Sequence, residues 1–177
     1  MGFGQHDIAK QYDLVALGLL DGPPLKAASI VTETTWENLQ ASSASFIVFD
    51  DAAGEAVLHA VARKLKAGTR YPLHSSAVAK VRDRPGKASA MDLTLCPSSP
   101  PELTELGMLS MLAAPVTGPD REAVGALAVF DVQPRHWSAI KRQQLENLAY
   151  LITQEVMLHA SFATLELMAG ERTRLNG

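Results

Sequence analysis

The sequence predicts an α+β fold, an antiparallel sheet layered between helices, and three stretches carry that prediction. Met108 to Val116 reads as a strand, Gly118-Pro119-Asp120-Arg121 as a turn, and Ala123 to Asp131 as the returning strand. Ser45-Phe46-Ile47-Val48-Phe49 and Ala56 to Ala62 flank the turn Asp50 to Glu55 and form a second hairpin, rich in β-branched and aromatic residues. From Ile140 the chain avoids Gly and Pro until Gly170, which makes one long helix. Pro134 has no N–H for a ladder and ends the preceding strand, and Ser138 or His136 can cap the helix start. Both strands of the 108–131 hairpin are apolar on both faces rather than alternating. The sheet therefore needs a cover on each side, and the long helix supplies one of them.

The remaining elements follow in order. Asp7 can cap a first helix whose stripe is Leu14, Leu17 and Leu20, stopped by Asp21-Gly22-Pro23-Pro24. Leu25 to Gln40 is a second helix, with Ala28, Val31, Thr35 or Trp36, and Leu39 on one face. Lys66 to Pro72 is expected as a loop. His74-Ser75-Ser76 supplies a hydroxyl cap for a short helix over Ala77 to Val81, Pro85-Gly86 ends it, and Lys87 to Met91 is a further strand. Asp92 to Pro101, with Cys96-Pro97-Ser98-Ser99-Pro100-Pro101, holds neither helix nor ladder and is expected as a loop.

Composition narrows the function classes. The 177 residues suit a single domain over residues 1–177. A formal charge of −3, with basic runs confined to Arg63-Lys64-Leu65-Lys66 and Lys80 to Arg84, argues against a nucleic-acid binder and reads as solvated edges. One cysteine excludes an internal disulfide and a cysteine-based zinc site, which fits a reducing, cytoplasmic compartment. No signal peptide or apolar run of membrane-spanning length is present, so no membrane partner is expected.

Several stretches resemble one known family. Leu106-Gly107-Met108 through Ala114-Pro115-Val116, then Val124-Gly125-Ala126-Leu127-Ala128-Val129-Phe130-Asp131, Arg135-His136-Trp137-Ser138 and Leu145-Glu146-Asn147-Leu148-Ala149 are similar to the C-terminal half of a GAF domain. Leu17-Gly18-Leu19-Leu20-Asp21-Gly22-Pro23-Pro24 resembles the lead-in of bacterial GAF sensors, and Pro85-Gly86 to Asp92 resembles the strand that ends in Asp. The resemblance covers roughly residues 7 to 160. It implies a three-layer α/β/α domain around a mostly antiparallel sheet of five or six strands. The N- and C-terminal helices would lie on one face, and a short helix plus loops would roof a pocket on the other.

Carried over position by position, the resemblance places Ser45, Ile47 and Phe49 on the pocket floor and His74 with Ser75 at the start of the short helix. It places Asp92, Thr94 and Cys96 in the roof loop and Ser110 on the next strand. Free N–H groups and the positive dipole end at a helix start favour an anionic or polar ligand group, and Ser75 and Asp92 also serve as plain caps. A cover of short elements should fit loosely and leave a partly polar cavity bounded by Ile47, Phe49, Ser75, Cys96 and Ser110. Met91, Met108 and Met111 are the side chains able to fill it instead.

Catalysis is not expected. Cys96 could act as a redox sensor, but it is followed by Pro97 rather than by the Cys-His pair of bilin-binding members, and one thiol cannot supply both nucleophile and resolving partner. His6, His59, His74, His136 and His159 lack metal-type spacing and are expected at the surface or at helix caps, and no metal is expected. The cyclic-nucleotide signature of the family is absent, and no cofactor is assigned. The leading function is a small-molecule or redox sensing module that relays its state through the long helix in signal transduction. The alternative is a ligand-free scaffold for dimerisation or protein docking. Leu151, Leu158 and Leu165 repeat every seven residues with Leu148 and Phe162 between them and Glu155 interrupting, so a homodimer is expected along that helix. An output protein, or an output domain following Gly177, would receive the signal.

Overall fold

The computed structural model describes residues 14, 17–20, 22–74, 76–83, 86–95, 103 and 105–176. Of the expected first helix only Leu14 and residues 17–20 are among them; Leu14 is helical, but 17–20 form a turn with Gly18 at φ +72°, so the helix does not reach Leu20. The elements are α1 (Lys26–Leu39), β1 (Ser43–Asp50), β2 (Glu55–Ala62), β3 (Arg70–Pro72), a 3-10 helix over Ala77–Asp83, β4 (Ser89–Asp92), a 3-10 turn over Leu93–Leu95, β5 (Ser110–Thr117), β6 (Ala123–Asp131) and α2 (Ala139–Leu175). The strands form one antiparallel sheet in the order β3-β2-β1-β6-β5-β4.

The two hairpins and the long helix stand where the sequence put them, but Asp92 closes β4 and Leu93–Leu95 form a 3-10 turn where a loop was expected, and other details change as well. The Lys66 to Pro72 loop ends in β3, a three-residue edge strand on Glu55–Val57 whose Pro72 is tolerated because it sits at the rim. Asp50 draws the strand in, with its Oδ2 3.0 Å from the Arg70 guanidinium. The long helix starts at a Ser138 cap, whose Oγ accepts from the Lys141 N–H at 3.2 Å. It runs through Gly170 to Leu175, because one glycine in an exposed helix interior costs only about 1 kcal/mol. Its 37 residues span about 56 Å.

Each sheet face has its own core. Even-numbered positions of β1 and β5 (Phe46, Val48, Leu112, Ala114, Val116) join Leu127 and Val129 of β6 under α1 and α2. Leu39 of α1 and Leu145, Ala149, Ile152 and Val156 of α2 complete that cluster. The odd positions (Ile47, Phe49, Met111, Ala113) join Ala126, Ala128 and Phe130 under the 3-10 helix residues Ala77, Val78 and Val81. On α1, Thr32 and Thr35 are fully buried, each hydroxyl satisfied by the carbonyl four residues back at 2.7 Å. Trp36 is partly buried beneath the Arg63 guanidinium, 4.1 Å above its ring.

Two irregularities set the register. Phe46 faces Ala60 while Ile47 faces Leu58, so His59 is the extra residue of a β-bulge. The bulge turns its ring into the helical side, where it is buried, and corrects the expectation that every histidine lies at the surface or caps a helix. At Gly125 the backbones of β6 and β1 come so close that a Cβ would overlap the Ile47 carbonyl oxygen and press on the Phe46 ring. Gly125→Ala should therefore lower stability by about 1–3 kcal/mol, read as a fall in the urea midpoint. An unchanged midpoint would contradict the close approach.

Candidate functional site

The candidate residues fall on both faces of the sheet. Ser45, Ile47 and Phe49 occupy alternate positions of β1 on the face away from the helices. Ser110 belongs to the even row of β5, and Asp92 is its cross-strand partner, so both lie on the helical face at the β4 edge. Thr94 follows in the turn after β4. His74 is exposed, its ring beside the Gly54 turn. Ser75 and Cys96 lie outside the described residues.

On the first face the floor is filled. Ile47, Phe49, Met111 and Phe130 are each at most 2 % exposed and pack in one cluster. Met108 is buried in the same cluster and Met91 packs on its margin, the adaptable filling that thioether chains provide. Ser45 spends its hydroxyl on the Ala60 carbonyl at 2.9 Å. Arg82 of the 3-10 helix lies over the Phe49 ring at 4.4 Å, with Nη2 2.6 Å from Asp51 Oδ1. The basic run Lys80 to Arg84 is thus not wholly a solvated edge. Only the coincidence of an arginine in a short helix with an aromatic strand beneath it could have signalled this.

On the second face, Asp92, Thr94 and Ser110 share an open cleft of about 370 Å³ with Ala90, Met91, Leu109, Pro134 and Arg135. Asp92 Oδ1 accepts from the Thr94 N–H at 2.9 Å and from its hydroxyl at 2.6 Å, and these two bonds hold the carboxyl below its usual range. Ser110, itself nearly buried, donates its Oγ hydrogen to the Gln133 carbonyl at 2.7 Å. Arg135 forms the wall nearest α2. It is committed to Asp131 at 3.0 Å and to the carbonyls of Leu39 and Gln40, and its guanidinium stacks 4.2 Å over Trp137. Among the described residues no group of three or more His, Cys, Asp and Glu could hold a metal ion, and no helix is long and apolar enough to cross a membrane.

The sequence pattern of one family, the GAF domain, matches residues 23–156. The chain belongs to the GAF domain family. That family is generally sensory or regulatory in signalling proteins. Solved structures agree on the fold. The blue-light absorbing form of the Thermosynechococcus elongatus PixJ GAF-domain is 15 % identical with a TM-score of 0.60, over 96 % of each chain. The GAF domain of a phosphoenolpyruvate-protein phosphotransferase from Coxiella burnetii is 23 % identical with a TM-score of 0.59, over 84 % of this chain and 94 % of that one. The Acinetobacter counterpart is 15 % identical with a TM-score of 0.62, over 92 % of this chain and 99 % of that one. No curated protein matches the chain.

The expected pairing residues divide as well. Leu151, Leu158, Phe162 and Leu165 are each 51–60 % exposed on the side of α2 opposite Leu145, Ala149, Ile152 and Val156. Leu148 instead packs on the margin of the helical-side core. Glu155, within the stripe, is paired with His159 at 2.9 Å. If Met111 fills the floor as described, Met111→Ala should open a cavity, cost about 2–5 kcal/mol in chemical denaturation, and admit a small apolar probe such as benzene. A loss below about 1 kcal/mol with no probe binding would mean the floor was loosely packed.

Proposed function

We propose that this GAF domain is a regulatory module of signal transduction whose output element is α2, and that α2 pairs with the same helix of a second copy. The observation that carries the reading is the stripe of Leu151, Leu158, Phe162 and Leu165. It runs along a helix that continues well past the last residue it buries against its own sheet, Val156. Each of those side chains gains about 1.5–3 kcal/mol when fully buried, and a second copy offers a matching row at the same seven-residue spacing. Glu155 interrupts the row, and its bond to His159 turns the carboxylate along its own helix. The filled floor beneath the 3-10 helix favours a module that works through contact over one that encloses a ligand there.

A second reading, small-molecule sensing, is favoured by the cleft of Asp92, Thr94, Ser110 and Arg135. Its ligand would be small and polar enough to use a carboxylate and two hydroxyls. A change there has a short route to the output helix. The Ala88 N–H, just before β4, donates to Glu146 of α2 at 2.8 Å. Redox sensing would rest on Cys96.

Replacing Leu158 and Phe162 together with Glu should convert a dimer into a monomer in sedimentation velocity while the thermal midpoint of the domain stays in place. A wild-type chain that sediments only as the monomer at micromolar concentration would refute the pairing.

A further inference from the structure

Among the histidines, His59 stands apart: it is buried, belongs to the β2 bulge and is bonded at both ring nitrogens. Nδ1 lies 3.0 Å from the Leu19 carbonyl oxygen, which can only accept. Nε2 lies 3.0 Å from the Leu25 N–H, which can only donate. The two partners dictate one ring state, a neutral imidazole with its hydrogen on Nδ1 and its lone pair on Nε2. Phe46 meets the ring edge-on at 5.6 Å, and Leu19 and Phe46 are themselves buried, so the surroundings offer little solvation to a charge.

We propose that His59 is an acid-sensitive clasp that fastens the segment from Leu19 to Leu25 onto the sheet, and that protonation at Nε2 releases that segment. The added proton would set one donor against another across the Leu25 bond and leave a cation in an apolar setting. Leu25 is the N-cap residue of α1 and has no side-chain cap, so losing this bond loosens the start of the helix as well as the segment before it.

Charged groups on the packed elements have other commitments. On α1, Glu33 pairs with Arg63, and Lys26 and Glu37 are exposed; on β1 and β2, Asp50 and Glu55 both lie at the far hairpin end with Arg70. The described part of the 17–20 segment carries no titratable side chain. Burial lowers the imidazole's pKa from its ordinary value of 6.5, against a smaller opposite pull from the Leu19 carbonyl. A lowered histidine pKa stabilises the closed state fully above about pH 6.5, and that contribution is lost as the pH falls from there through the folded-state value.

The test uses the full chain. Nitrogen-15 NMR of the imidazoles at about pH 7.5 should show His59 neutral with hydrogen on Nδ1, and hydrogen exchange should be followed from there to about pH 5, corrected for intrinsic rates. Below about pH 6.5 the opening of residues 19–25 should rise by up to tenfold per pH unit, while β1 and β6 amides keep their protection. His59→Gln keeps every other histidine and should abolish that pH dependence. A cationic or Nε2–H ring at about pH 7.5, a flat wild-type profile, or an unchanged slope in His59→Gln would each overturn the proposal. The first two outcomes decide it even if the variant fails to fold.

Discussion

Because β1 and β6 are buried along almost their whole length on both faces, the sheet cannot be stable under a single layer of helix. The two covers it acquires are unlike. On one side α1 and α2 lay continuous apolar stripes over Phe46, Val48, Leu112 and Leu127. On the other side the cover is a seven-residue 3-10 helix with short connecting pieces, and the sheet's own large side chains, Phe49, Met111 and Phe130, fill the space beneath it. The face under the 3-10 helix thus carries a packed cluster of described residues, and the open cleft, mainly apolar with a few polar groups, sits on the opposite face at the β4 edge.

That arrangement depends on close backbone contact at the centre of the sheet. Gly125 lets β6 lie against β1, and the bulge at His59 shifts the register so that Phe46 and Ile47 still alternate correctly between the two cores. The corner between β6 and α2 is held by Arg135, which ties Asp131 to the end of α1 and stacks on Trp137. A single side chain therefore joins the last strand, the end of α1 and the base of α2. It also walls the cleft, so the polar site and the helix base share a mechanical element.

Much of the architecture was legible in the residues themselves. Unbroken apolar strands, Gly- and Asp-containing turns, and thirty residues free of Gly and Pro are strong local signals, and they placed β6 to the residue, β5 to within two, and α2 except for its end beyond Gly170. The site was legible only as a set of names. Ser110 and Ile47 were expected around one cavity, yet strand parity puts them on opposite faces, and parity depends on where a strand starts and where a bulge intervenes. His59 was read as a surface or helix-cap histidine because nothing local marks a bulge. Its partners Leu19 and Leu25 lie 40 and 34 residues away. Arg82 over Phe49 and Leu148 in the helical core escaped for the same reason: each depends on a tertiary contact that has no sequence period.

On the proposed pairing, α2 is two helices in energetic terms, one half held by its own sheet and the other by a second copy. Buried positions end at Val156, whereas Leu158, Phe162 and Leu165 face outward. Helices in proteins draw most of their stability from packing an apolar face, and beyond Val156 this helix buries no residue against its own sheet. Hydrogen exchange of α2 at a series of protein concentrations tests this most directly. Protection of residues 157–175 should rise with concentration while that of residues 139–156 stays constant. Equal, concentration-independent protection along the whole helix would contradict the account.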